Sequence, residues 1–120
     1  MSRDPLKLTV FGQADDLVLQ AYQPPQAFPV EERFGLQAEP RRTAVSVPTN
    51  IVEGSARRTQ RDDVHFSGIA LGSASEVRYH LGLANRLGFL ADSESEGLVA
   101  RYSTLIRGLQ ALVPSLDKRT

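Results

Sequence analysis

The chain has 120 residues and carries 14 Lys and Arg residues against 14 Asp and Glu residues, so its formal net charge is zero. This balance excludes a protein that is basic over its whole surface, although it leaves room for a local basic patch. The absence of cysteine excludes disulfides, thiolate zinc sites and a cysteine nucleophile. The length fits one domain over residues 1–120, with flexible ends expected at 1–9 and 117–120.

The apolar runs of the chain are short. A membrane-spanning helix needs about 20 consecutive apolar residues, and no run here comes near that length. The N-terminal residues also lack the basic start and apolar core of a signal peptide. We therefore expect a cytoplasmic protein that makes no contact with a membrane.

A first helix is predicted from about Val10 to Gln23. Its apolar residues recur at steps of four, three and four, which places them on one helical face. These residues are Val10, Ala14, Leu17 and Ala21. Pro24 and Pro25 should end the helix, because neither can donate a hydrogen bond to an earlier carbonyl.

A second helix is predicted to begin at Pro29 and to end at Glu53, with Gly54 as its C-terminal stop. Two prolines interrupt it, and each removes a backbone hydrogen bond. We expect a kink at Pro48 and a break near Pro40, where the preceding residue is pushed away from helical angles.

A third helix is predicted after Thr59, which forms a capping-box pattern with Asp62, and Gly88 is its expected C-terminal cap. Its inward positions follow heptad spacing: Phe66, Ala70, Ser73, Val77, His80 or Leu81, Ala84 and Leu87. Small residues make part of this helix slim, so that a neighbouring helix is expected to approach closely there. They are Gly68, Gly72, Ser73 and Ala74.

A fourth helix is predicted after a second capping box, Ser93 with Glu96. Its apolar residues alternate by four and three, as in the seam of a coiled coil: Leu98, Tyr102, Leu105, Leu109, Leu112 and Leu116. Ile106 and Val113 widen the apolar face. This extra width either fills the bundle or faces another subunit.

Four helices with short connections predict an all-α, antiparallel up-and-down four-helix bundle. No run of alternating β-branched residues with hairpin turns is present, so a sheet is not expected.

Enzyme motifs are missing from the sequence. It has no nucleophile elbow, no phosphate-binding loop and no dinucleotide-binding glycine pattern. Its two histidines, His65 and His80, would lie about 22 Å apart on one helix and cannot share a metal ion. Glu76 lies four residues before His80, and we interpret the two as a polar pair. We therefore expect no enzyme activity, no metal and no cofactor.

Charge is unevenly distributed along the chain. Residues 1–40 hold three basic and six acidic side chains, a net charge of −3, whereas residues 41–61 hold five arginines against Glu53, a net charge of +4. The five arginines are Arg41, Arg42, Arg57, Arg58 and Arg61. Guanidinium groups match phosphate and carboxylate geometry, so this cluster could bind RNA, DNA or an acidic protein partner. It could also pair with the acidic first forty residues, within or between subunits, or simply be solvated. Its two halves would lie about 24 Å apart at opposite ends of the second helix if that helix were straight.

The segment 41–55 carries a recognisable pattern. Ser46-Val47-Pro48 is followed by Asn50-Ile51-Val52-Glu53-Gly54, and the arginine pair at 41 and 42 precedes both. This pattern resembles the bacterial four-helix bundle proteins related to those encoded in intervening sequences of 23S ribosomal RNA genes. It is also similar, more distantly, to the accessory variability determinant proteins of diversity-generating retroelements.

The resemblance implies an up-and-down bundle that assembles as a homopentamer. The retroelement accessory proteins bind nucleic acid and a reverse transcriptase, but they are strongly basic, whereas this chain is neutral.

The motif also has a structural interpretation. Ser46 or Asn50 could satisfy backbone groups that Pro48 leaves exposed, and Glu53 could form a salt-bridged turn with Arg57 around Gly54. The alternative interpretation is a rim that presents Arg57, Arg58 and Arg61 to a partner.

Two functional hypotheses follow. The first is a non-enzymatic homo-oligomeric bundle that binds nucleic acid or a ribonucleoprotein through the arginine cluster. The second is a protein-interaction scaffold that binds an acidic protein and no nucleic acid.

Overall fold

The computed structural model describes residues 4–21 and 38–117, and these residues form four helices with no strand. The helices are α1 (Pro5–Ala21), α2 (Ala38–Ser55), α3 (Gln60–Arg86) and α4 (Asp92–Asp117). The predicted all-α class is confirmed. The predicted ends of helices in residues 22–37, including the stop at Pro24 and the start at Pro29, lie outside the described residues.

The helices pack in a closed arrangement. α3 lies between α2 and α4, and α1 contacts α2 and α4 on the other side. Ser46 of α2 meets Ser73 of α3, while the end of α2 at Gly54 meets the start of α3 at Asp63, so the two helices run antiparallel. The core contains the predicted faces of α1 and α4, since Val10, Ala14, Leu17, Tyr102, Leu105, Leu109, Leu112 and Leu116 are buried. Ile106 is buried within the chain as well, so this residue fills the bundle.

α1 begins five residues before its predicted start. Asp4 caps it, because its carboxylate accepts hydrogen bonds from the backbone N–H groups of Leu6 at 2.9 Å and Lys7 at 3.3 Å. Pro5 occupies the first helical position, where its fixed φ suits a helix and its missing N–H costs nothing. The helix therefore includes residues 5–9, which were expected to belong to a flexible end.

α2 runs through both prolines. Pro40 lies in its first turn, where a backbone N–H has no partner within the helix, so the helix is not broken at Pro40 itself. The part of the predicted helix before residue 38 lies outside the described residues. Pro48 is buried inside the helix, which continues to Ser55. A kink at Pro48 stays a prediction.

α3 has both of its predicted caps. The Thr59 hydroxyl accepts a hydrogen bond from the backbone N–H of Asp62 at 3.1 Å. Gly88 adopts a positive φ of 82°, and the next N–H, that of Phe89, reaches back to the carbonyl of Ala84 at 2.9 Å. This pair of features is a Schellman motif, which satisfies carbonyls that the helix end leaves open.

Two expectations about α3 are wrong. Ser73 and Ala74 are buried, but a Cβ added at Gly68 or Gly72 would meet nothing within 4 Å, so no described helix approaches closely at these glycines. The inward seam also ends before Leu87, whose side chain is 52% exposed because it follows the last helical residue.

α4 begins at Asp92, so the predicted capping box is also wrong: Ser93 lies in the first turn of the helix and not before it. The N–H of Ser95 donates to the carbonyl of Ala91 at 2.9 Å. Asn85 fixes the entry to the helix, because its side-chain amide donates to the carbonyl of Leu90 at 3.0 Å and to the carboxylate of Asp92 at 2.7 Å. Among the helices of the described ranges, none combines the length and apolar character needed to cross a membrane.

Candidate functional site

The five arginines of the predicted cluster do not form one surface. Arg41 and Arg42 lie in the first turns of α2, whereas Arg57, Arg58 and Arg61 lie at or just after the turn from α2 to α3. The 18 residues of α2 span about 27 Å, so two separate surfaces must be considered.

Arg41 joins two helices of the bundle. Its Nε donates a hydrogen bond of 2.8 Å to the carbonyl oxygen of Ala21, the last residue of α1. The last carbonyls of a helix lack partners within the helix and carry partial negative charge, so a guanidinium there stabilises the helix end. Arg42 is exposed and also has an interaction partner. The N-terminal half of the cluster therefore includes a residue with a structural role.

Arg57 is held at the turn by two contacts. Its guanidinium forms the predicted salt bridge with Glu53, one helical turn earlier, and its Cζ lies 4.7 Å from the centre of the Phe66 ring. The salt-bridged turn expected from the sequence is thereby confirmed. An arginine in an ion pair and in a cation–π contact is less available to a partner than an uncommitted one.

Arg58 and Arg61, which we call the turn arginines, are both exposed. Arg58 lies in the turn and Arg61 is the second residue of α3. Within residues 4–21 and 38–117, neither forms an ion pair with a carboxylate. They also stand at the N-terminus of α3, where the helix dipole favours an anion. Asp62 is exposed next to Arg61, so the net charge of this surface is positive but small.

The central motif supports the structure of this turn. A Cβ at Gly54 would lie 2.5 Å from Oδ1 of Asp63, 3.2 Å from the Asp63 carbonyl oxygen and 3.3 Å from Cβ of Phe66. Only glycine allows α2 and α3 to come this close. Gly54 thus has the structural role that the motif suggested, and it sets the position of the turn arginines relative to α2.

Hydrogen bonds from the rest of the motif tie α2 to α3. The Asn50 amide donates to the carbonyl of Ser46 at 2.8 Å and to its hydroxyl at 3.0 Å, and the Ser46 hydroxyl lies 2.8 Å from that of Ser73. Pro48 leaves the carbonyl of Ala44 without its usual N–H donor. Asn50 does not donate to that carbonyl but to the carbonyl of Ser46.

A buried ion pair near the turn was not anticipated. The Nζ of Lys7 donates to both carboxylate oxygens of Asp63 at 2.7 Å, and the Lys7 side chain is fully buried. The sequence holds a signal for this contact, because Lys7 precedes Val10 by three residues and so extends the inward face of α1. A lysine on an apolar face implies a buried acidic partner, but only the fold identifies that partner as Asp63.

Among the described residues, neither histidine belongs to a group that could hold a metal ion. Glu76 is exposed, and Nδ1 of His80 is buried and has no hydrogen-bond partner, so the predicted Glu76–His80 pair is wrong. Glu76 points to solvent, while His80 is half-buried. Across the described ranges, no group of three His, Asp or Glu side chains could hold a metal ion.

Comparison with known proteins places the chain in a family. The family model described as "23S rRNA-intervening sequence protein" matches residues 6–111. One similar solved structure is that of a protein with unknown function from the S23 ribosomal protein family of Bacteroides thetaiotaomicron VPI-5482. It is 18% identical, the alignment covers 91% of this chain and 98% of that one, and the TM-score is 0.83. No curated protein matches the chain.

The structural neighbour supports the four-helix fold. At 18% sequence identity, it supports the fold alone. The family match extends from the start of α1 almost to the end of α4 and includes the motif around Gly54. The chain is therefore a member of the 23S rRNA-intervening sequence protein family.

Proposed function

We propose that the protein is a non-enzymatic, homo-oligomeric helical bundle that binds nucleic acid or a ribonucleoprotein through the turn arginines, Arg58 and Arg61. The observation that carries the proposal is their exposure without an ion pair among the described residues. Arg41 and Arg57 were part of the original cluster, but their contacts with Ala21 and Glu53 give them structural roles.

Phosphate is the ligand that the turn arginines fit best. Each guanidinium presents a planar fork of donors that matches phosphate geometry, and the first turn of α3 adds backbone N–H groups with partial positive charge. The neutral net charge of the chain means that this attraction is local. Binding should therefore depend on these two residues. It should also weaken as the salt concentration rises, because the release of counterions from the nucleic acid then becomes less favourable.

Assembly into an oligomer has support from the outer face of α1. Leu8 and Leu19 are 47% and 61% exposed, and their spacing of eleven residues places them on the same side of the helix. A second copy of the chain that covered this side would remove both side chains from water. The number of five subunits rests on the family resemblance.

The test is a titration of a structured RNA and of a duplex DNA, each dye-labelled, followed by fluorescence anisotropy at low and high salt. The double variant Arg58→Gln, Arg61→Gln should bind more weakly, and the slope of log affinity against log salt should fall by about 1 for each arginine removed. The matched control is Arg101→Gln, Arg107→Gln, which removes the same charge from exposed positions on α4.

Unchanged binding by the turn-arginine variant, or an equal loss in the control, would overturn the proposed site. Absence of binding to either nucleic acid at low salt would overturn the function itself. That outcome would leave an acidic protein partner as the explanation of the exposed arginines.

A further inference from the structure

A groove runs between α3 and α4, away from the α2–α3 turn. Its volume is about 540 Å³, and it is open to solvent. Arg78, Tyr79 and Arg86 line it from α3, and Val99 and Ser103 line it from α4. None of the residues that line the groove in the described ranges is acidic.

The two arginines of the groove have no carboxylate partner in the part of the chain that the structure describes. Arg78 Nη1 donates to the Ser103 hydroxyl at 3.2 Å, which holds its guanidinium between the two helices. Arg86 Nε donates to the carbonyl of Gly82 at 3.4 Å. The groove therefore carries two positive charges that the described residues leave uncompensated.

The spacing of the charges suits an extended anionic chain. Arg78 and Arg86 are eight residues apart on one helix, so their Cα atoms are about 12 Å apart along its axis. They are about 80° apart around the helix axis, and both line the groove. A ligand with regularly spaced negative charges can contact both at once.

An exposed aromatic ring lies beside one of the two charges. Tyr79 is 59% exposed, and the Cζ of Arg86 lies 5.9 Å from the centre of its ring. An exposed ring of this kind next to guanidinium groups offers a surface on which an unpaired base can stack. Bases within a duplex are already stacked on each other, so this feature favours a single strand.

We propose that the α3–α4 groove binds a single strand of nucleic acid, with phosphates on Arg78 and Arg86 and a base on Tyr79. This inference rests on the proposed nucleic-acid binding function and adds a second site, distinct from the turn arginines. An acidic peptide would satisfy the two charges, but it would not need the tyrosine ring.

Gly82 provides a direct way to close the groove. It lines the groove four residues from each arginine, and a Cβ added there would meet nothing within 4 Å. A glutamate at this position would lie at (i, i+4) spacing from both Arg78 and Arg86, where ion pairs form on a helix. Gly82→Glu should therefore occupy both guanidiniums without disturbing the packing.

The matched control is Gly97→Glu on α4. Gly97 is exposed, also has nothing within 4 Å of an added Cβ, and has Arg101 four residues later. Both variants introduce one negative charge on a helix, four residues before an arginine, and only Gly82 lines the groove.

The experiment measures binding of dye-labelled oligouridine and oligothymidine by fluorescence anisotropy, with folding of each variant checked by circular dichroism. We expect Gly82→Glu to weaken binding at least about tenfold and to lower the salt slope by about 1.4, since each phosphate contact of a single strand contributes about 0.7. Gly97→Glu should stay within about twofold of the parent protein. Equal weakening by both variants, or no effect of Gly82→Glu, would overturn the groove.

Tyr79 separates stacking from charge. Tyr79→Ala should weaken binding about tenfold, while Tyr79→Phe should bind as the parent does, because stacking needs the ring and not the hydroxyl. Equal affinity of the Tyr79→Ala variant and the parent would overturn the proposed base contact and favour an acidic peptide.

The variant Arg58→Gln, Arg61→Gln distinguishes failure of the groove from failure of the proposed function. If single strands bind and only this variant loses affinity, the turn arginines stand and the groove is overturned. If the parent protein binds no nucleic acid at low salt, both proposals fail together.

Discussion

At the scale of single residues, Gly54 sets how closely two helices of the bundle approach each other. The nearest atom to its missing side chain is Oδ1 of Asp63, which also accepts a hydrogen bond from Lys7 at 2.7 Å. Asp63 therefore cannot turn aside without weakening a buried ion pair. The backbone carbonyl of Asp63, at 3.2 Å from the same point, is even less free to move.

We predict that Gly54→Ala lowers the free energy of unfolding by about 1–3 kcal/mol, the cost of forcing extra volume into a packed site. The control is Gly12→Ala on α1, where an added Cβ meets nothing within 4 Å. That change should stabilise the protein by up to about 1 kcal/mol, because alanine favours a helix over glycine. Urea unfolding of both variants decides the matter, and a Gly54→Ala protein as stable as the parent would contradict the role of this glycine.

Also at the scale of single residues, Tyr102 makes the free energy of unfolding depend on pH. Burial raises its pKa from 10.0 to about 12, while the nearby Arg101 lowers it by a smaller amount. The folded pKa exceeds the unfolded one, so the unfolded chain loses the proton first as pH rises. The contribution of Tyr102 to stability is thus complete below about pH 10 and is lost as pH rises towards 12.

We predict that the free energy of unfolding falls by about 1 kcal/mol between pH 9 and pH 11 because of this residue. The variant Tyr102→Phe should lack this part of the decline, since phenylalanine has no proton to lose. Urea titrations of the two proteins at both pH values test the prediction. Parallel pH profiles would show that Tyr102 does not cause the decline.

At the scale of elements, the Lys7–Asp63 pair joins the start of α1 to the start of α3. The Lys7 side chain is fully buried and that of Asp63 is 16% exposed, so the two partners differ in what they lose when separated. An ammonium group left without its carboxylate would have no access to water. A carboxylate left without its lysine would retain some access to water.

We predict that Asp63→Asn lowers the free energy of unfolding by about 3 kcal/mol, and that Lys7→Met lowers it by less. The double variant Lys7→Met, Asp63→Asn should be more stable than the sum of the single changes implies, because no charge remains unpaired. A double-mutant cycle from urea unfolding measures this coupling. Additive effects would contradict a direct interaction between the two side chains.

The sequence predicts the middle of each helix better than its ends. The inward faces of α1 and α4 follow from residue spacing alone, since burying an apolar stripe determines which side of a helix turns inward. Helix ends depend on local capping interactions, which similar residues can form at more than one position. Ser93 suits a cap, yet α4 begins at Asp92, and Asp4 with Pro5 extends α1 beyond its apolar face.

Packing between helices is harder to predict than their faces. Gly68 and Gly72 made α3 look slim where a neighbour could approach, but close approaches occur at Gly54 and at Gly108, where an added Cβ would lie 2.6 Å from Cγ1 of Val10. A glycine in a sequence shows where contact is permitted. Which neighbour uses it depends on the arrangement of all four helices.

At the scale of the whole molecule, the sequence predicts the cluster of five arginines in residues 41–61. It does not predict that the fold separates them and commits some of them to contacts within the protein. Arg41 donates a hydrogen bond to the carbonyl of Ala21, and the guanidinium of Arg57 lies over the ring of Phe66. Residue spacing in the sequence specifies neither contact. The groove is invisible in the sequence for the same reason. Arg78 and Tyr79 lie outside the arginine-rich window, and Ser103 joins them only because α4 packs against α3.

The two proposed sites lie at different places along α3. Arg61 is at the start of the helix, and Arg78 follows seventeen residues later, or about 25 Å along the axis. A single strand could reach both only by extending along the bundle, and an assembly of several copies would multiply both sites. Oligomeric state and nucleic-acid binding are therefore best measured together.

The most direct test is the mass in solution by light scattering, with and without a mixed pool of RNA and DNA, at low and high salt. We predict a mass about five times the 13.2 kDa of one chain, a rise with nucleic acid only at low salt, and a smaller rise for the variant Arg58→Gln, Arg61→Gln, which keeps the α3–α4 groove. A single-chain mass would contradict the homo-oligomer. A mass that nucleic acid leaves unchanged at low salt would contradict the proposed function.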